Sequence, residues 1–144
     1  MKNLWPEQFE ENTSPSTKAL LEEQSKLLLK LTNGMVDAEV VEQERLDQIT
    51  TGLQNEFAYS FNLLGKFIDN YRFRVLSFAH DITLYPVDFQ VDEQIGKELQ
   101  LSRTTAYGYK TRIGEPSEVE DFLASVLNSQ RIKNVVGSII KLSK

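Results

Sequence analysis

The chain has 144 residues, 40% of them hydrophobic and 26% charged, with no cysteine; this balance predicts one folded domain with its own core and excludes a disulfide framework or thiolate metal site. No apolar run reaches the roughly 18 residues of a membrane span, and Met1-Lys2 leads into Trp5, Pro6 and acidic side chains rather than an apolar signal core, so we expect a cytoplasmic protein with no membrane partner. The net charge of −5 is uneven, with 12 acidic and 6 basic side chains in residues 1–69 against 9 and 10 in residues 70–144, and the mixed signs with a pI near 5.0 argue against a nucleic-acid partner.

Residues 1–13 read as an N-terminal extension and residues 14–144 as a single α+β domain. A first helix is expected from Ser14-Pro15, a cap followed by proline at the first helical position, to Asn33-Gly34. Leu20, Leu27, Leu28, Leu31 and Met35 give it an apolar stripe, and Glu22 and Lys26 form an i,i+4 pair on its wet side. The period then falls from about 3.6 to 2. Val36, Ala38 and Val40 alternate with Asp37, Glu39 and Val41 as strand one. A polar connection follows around Asp47–Gly52.

Phe57, Tyr59, Phe61 and Leu63 alternate with Ala58, Ser60, Asn62 and Leu64; helical spacing fits the same stretch, and aromatic enrichment favours strand two. Gly65 and Asp69-Asn70 supply a turn before strand three, Tyr71, Phe73 and Val75 against Arg72 and Arg74. Tyr85, Val87, Phe89 and Val91 form strand four, which Pro86 makes an edge or bulged strand. Residues 92–115 read as a mobile connection with a short strand at Thr105–Ile113. Ser117 and Glu120 form a capping box for a helix through Val119, Phe122, Leu123, Val126 and Leu127, and after a turn at Asn128-Ser129 a second helix carries Ile132, Val135, Val136, Ile139 and Ile140. The expected fold is therefore an N-terminal helix, an antiparallel sheet of about four meandering strands, and two C-terminal helices packed on one sheet face.

Chemistry concentrates around the single histidine. In an unbulged strand, Arg72, Arg74, Leu76, Phe78 and His80 share the face opposite Tyr71, Phe73 and Val75. Asp37, Glu39, Ser60 and Asn62 then join that face, so a polar concavity with two arginine forks and a proton-moving histidine can be drawn. Tyr71, Arg72, Arg74 and His80 are the candidate ligand-binding residues. The plainer alternative pairs Arg72 and Arg74 with acidic cross-strand neighbours and bonds His80 to Asp81 or a backbone carbonyl. Leu76 and Phe78 break the polarity of that face: either a bulge near Ser77 flips the register, or another helix or subunit covers them as an interface.

No P-loop, GxGxxG, HExxH or nucleophile elbow is present. The acidic clusters Glu42-Gln43-Glu44 and Glu118–Asp121 read as a solvated strand end and a dipole-favoured helix start rather than a metal site. Tyr107 and Tyr109 beside Arg103, Lys110 and Arg112 suit a short edge strand better than single-stranded nucleic acid. The basic ending Arg131, Lys133, Lys141 and Lys144 complements a helix C-terminus. We therefore expect no catalytic residues, metal or cofactor, but a binding or regulatory protein acting through a protein interface, with a protein partner or as a homodimer. The alternative is a small-molecule or nucleotide-binding enzyme or sensor using Arg72, Arg74 and His80.

Overall fold

In the computed structural model, which describes residues 1–144, the elements run α1 (Thr17–Leu31), β1 (Val36–Glu42), α2 (Arg45–Thr51), β2 (Phe57–Gly65), β3 (Arg72–His80), β4 (Val87–Val91), α3 (Glu93–Glu98), β5 (Arg103–Thr104), β6 (Gly108–Ile113), α4 (Pro116–Leu127) and α5 (Gln130–Leu142). The sheet is wholly antiparallel in the order β1-β2-β3-β4-β6-β5. It has six strands rather than the expected four. The two extra strands come from residues 92–115, which form α3 and the β5–β6 hairpin instead of a mobile connection, the short strand expected at Thr105–Ile113 being β6 at Gly108–Ile113. Asp92 caps α3 by accepting from the Gln94 and Ile95 amides, and Gly96 lets Tyr109 pack against the helix backbone: a Cβ there would lie 2.1 Å from the Tyr109 ring. With β6 beside it, β4 is an interior strand and not an edge; Pro86 sits just before it, where no ladder bond is lost.

Helix α1 starts two residues later than the sequence signal, with the Ser16 hydroxyl accepting from the Ala19 amide. Its end is stitched to the sheet by Thr32, whose hydroxyl donates to Leu28 O and accepts from the Val36 amide. The fully buried stripe is Thr17, Leu21 and Ser25; of the expected apolar row, Leu20, Leu28 and Met35 are half-buried against the core. Two small hydroxyl residues bring the helix close to β1, and Ser25 satisfies its own hydroxyl on Leu21 O. Leu27 and Leu31 are left outside, 45% and 82% exposed. The capping box at Ser117 and Glu120 does not form; α4 begins at Pro116 after Glu115, which makes no side-chain cap. Ser129 does cap α5, accepting from the Ile132 amide.

Strand parity breaks inside β3. Phe61 faces Leu76 while Asn62 faces Arg74, so Val75 is the extra residue of a bulge. Its carbonyl accepts from the Asp92 amide at the start of α3. Beyond the bulge, Leu76, Phe78 and His80 lie opposite Phe61, Tyr59 and Phe57, on the face covered by α1, α4 and α5. The register does flip, two residues before Ser77. Leu76 and Phe78 are fully buried among Phe61, Phe89 and the helices, which corrects their placement on the second face: this chain's own core covers them.

The second face carries Glu39, Ser60, Asn62, Arg72, Arg74 and Ser77. The polar connection expected around Asp47–Gly52 lies within residues 43–55, which contain α2 and close over part of this face. Leu53 is buried with Ala58 and Ala79. Gln43 donates to the Ser60 and Ser77 hydroxyls at 3.0 and 2.8 Å, and Gly52, at φ +72°, lies under the Tyr107 ring.

Candidate functional site

The second face retains a polar hollow of about 240 Å³ between β1, β2, β3 and α2. Two of the four candidate ligand residues, Arg72 and Arg74, line it together with Glu39, Glu42, Asp47 and Asn62. Arg72 Nε lies 2.7 Å from Glu39 Oε2, which also accepts from Asn62 Nδ2 at 2.9 Å. Arg74 Nη2 is 3.9 Å from Asp47 Oδ1. The arginines thus face carboxylates supplied by this chain, and three acids to two bases leave the hollow with an anionic surplus that opposes phosphate or carboxylate ligands.

The other two candidates lie elsewhere. His80 is on the helix-covered face, 5% exposed, with Nδ1 2.8 Å from the Asp81 carbonyl. Its ring stacks on Phe57 at 5.5 Å and Tyr59 at 6.2 Å. Tyr71 precedes β3 and lines a hollow against α5 with Ile68, Phe73, Ile139 and Leu142. The bulge at Val75 is the physical reason that His80 and the arginines do not converge: it sends the two ends of the strand's alternating pattern to opposite faces.

The basic and aromatic residues of the β5–β6 hairpin are engaged internally. Lys110 Nζ donates to Gly52 O at 3.2 Å and lies over the Tyr107 ring, Arg103 pairs with Glu93 at 3.3 Å, and Arg112 grips Asp88 through two bonds. That hydrogen bond and charge raise the Arg112 pKa above its ordinary value. No group of three or more His, Cys, Asp or Glu side chains is placed to hold a metal ion, and no helix is long and apolar enough to cross a membrane.

Sequence reasoning missed a groove on the helical face. Between α1 on one side and the α4–α5 corner on the other, Leu27, Leu28 and Leu31 face Leu127, Ile132 and Val136 above a floor of Phe61 and Leu63. Its volume is about 230 Å³, below the roughly 300–1,000 Å³ of small-molecule pockets and suited to side chains of a docked segment. The available signal was the excess of α1: with Leu21 buried and Leu20 and Leu28 packed against the core, its apolar row still leaves Leu27 and Leu31 over. No family model, curated protein or solved structure matches the chain.

Proposed function

We propose that this protein is a non-catalytic binding or regulatory protein that docks an apolar segment of a protein partner in the groove between α1 and α5. The observation that carries this reading is the groove itself, where Leu31 is 82% and Leu27 45% exposed beside a floor made of core residues. Contiguous apolar surface of this kind is costly in water and is a mark of interaction sites, and two helices flanking a trough form a seat for an amphipathic segment. The alternative, a nucleotide or small-molecule site built on Arg72, Arg74 and His80, loses its main support because the three residues do not share a face and the two arginines meet an acidic surplus.

A photo-crosslinking side chain at Leu31, introduced into the full chain in its native host, tests the reading. Irradiation is expected to give a discrete protein adduct from Leu31 and none from Lys110 on the opposite face, and Val136→Glu in the groove is expected to abolish it. No adduct, or equal adducts from both positions, would overturn the proposal.

A further inference from the structure

The chain itself carries a segment with the chemistry the groove requires. Residues 1–15 are exposed throughout, and they hold Leu4 at 87%, Trp5 at 74% and Phe9 at 73% exposure. The Trp5 and Phe9 rings pair at 6.0 Å, so they present one apolar wedge. Around that wedge stand Glu7, Glu10 and Glu11 against a lone Lys2, whereas the walls of the groove are net basic: α5 carries Lys133 and Lys141 beside Arg131, which is engaged by Asp92, and no acidic side chain, and α1 carries Lys18, Lys26 and Lys30 against Glu22 and Glu23. The segment and its seat therefore match in both polarity and charge.

The root of this arm is fixed. Ser16 caps α1, and the Tyr85 hydroxyl donates to Pro15 O at 2.5 Å. Leu27, Leu28 and Leu31 lie in the far turns of α1, roughly 16–22 Å along the axis from Ser16 at about 1.5 Å per residue, and in the isolated chain the arm stands clear of its own groove. From Ser16 to Trp5 an extended arm reaches roughly 36 Å, enough to cross to a neighbouring molecule.

We propose that the groove accepts the N-terminal arm of a second copy of this chain, and that two chains exchange arms to form a two-fold homodimer. The proposal rests on the reading of the groove as a docking surface for protein segments, and names the segment. Reciprocal exchange is closed: each copy gives one arm and fills one groove, leaving neither exposed. Contacts between the arm glutamates and the α5 cations make the dimer sensitive to salt.

Sedimentation of the full chain over a micromolar concentration series, with Trp5 fluorescence in parallel, tests this directly, since Trp5 is the single tryptophan. The expected result is a species of twice the 16.5 kDa chain mass at the upper concentrations, with Trp5 emission shifted to the blue and returning to the red on dilution or added salt. Deletion of residues 1–13, Trp5→Ala with Phe9→Ala, and Val136→Glu are each expected to give monomers. Circular dichroism checks that each variant stays folded. Mixing the arm-deleted chain with the Val136→Glu chain pairs an intact groove with an intact arm and is expected to restore a heterodimer, which a folding defect in either variant would not produce. A monomer at every concentration, a monomer with Trp5 buried on its own groove, or a dimer that survives loss of the arm would each overturn arm exchange. If exchange fails while the Leu31 crosslinker still captures another protein, the docking role of the groove stands alone; if both fail, both readings fall.

Discussion

Thr17 shows how a single atom reports on packing. Its hydroxyl oxygen is buried without a hydrogen-bond partner, a state that costs about 1–3 kcal/mol in proteins. Thr17→Val keeps the shape and removes the orphan group, so we expect thermal or urea unfolding to show a gain of about 1 kcal/mol. Tyr85 offers the opposite case. Burial raises its pKa above the ordinary 10.0, because removal from water disfavours the phenolate, and the neutral hydroxyl donates to Pro15 O. The folded-state value is the higher one, so the stability from Tyr85 is fully present below the unfolded pKa and is lost as pH rises through the raised value. The stability difference between wild type and Tyr85→Phe should hence be constant from neutral pH to about pH 9 and shrink above pH 10; a difference that grows in alkali would contradict this. Neither residue was singled out from sequence, because the environment of a hydroxyl is set by tertiary neighbours. His80 was half legible: its bond to the Asp81 carbonyl follows from adjacency, but its face depends on the bulge at Val75, five residues earlier in the same strand.

Among the elements, periodicity located α1, β1, β2, β3, β4, α4 and α5, and failed where an element's partner lies far along the chain. β6 was partly visible, since a short strand was expected at Thr105–Ile113, but its place beside β4, with Lys110 and Arg112 opposite Gln90 and Asp88, was not. The bulge left a legible trace, since Leu76 and Phe78 flank the small Ser77 and Ala79, yet its position follows from Val75 O accepting from the Asp92 amide, which no local pattern encodes. The groove was hidden for a related reason: alternation shows which residues are apolar, while the choice of Thr17, Leu21 and Ser25 over Leu27 and Leu31 depends on how closely α1 can approach β1. Segment 43–55 was hidden because its anchor is polar. Gln43, in an acidic-looking run, is 8% exposed and holds Ser60 and Ser77. Gln43→Ala leaves both hydroxyls without that partner, so we expect a loss of about 1–3 kcal/mol. Hydrogen exchange should show faster exchange of the Leu53 amide, which bonds Gln48 O, with little change in the amides of β4. Uniform loss of protection across the sheet would show instead that the segment is part of the global unit.

For the whole molecule, one sheet separates a large helical core from the small core under Leu53, and both share β2 and β3. That sharing argues for a single cooperative unfolding transition. The arm contributes nothing to either core, because residues 1–15 are exposed throughout, so in a monomer its deletion should alter stability by no more than about 0.5 kcal/mol. Arm exchange changes this expectation in a measurable way. An association that involves only the folded state stabilises it in proportion to the logarithm of concentration, so the full chain should melt at higher temperature as its concentration rises. The chain lacking residues 1–13 should melt at one temperature throughout, coincident with the full chain at high dilution. Calorimetry over a concentration series distinguishes the two: parallel rises in both proteins would place the association on another surface, and flat curves in both would make the folded chain a monomer and end arm exchange, leaving the groove to be judged by the Leu31 crosslink alone.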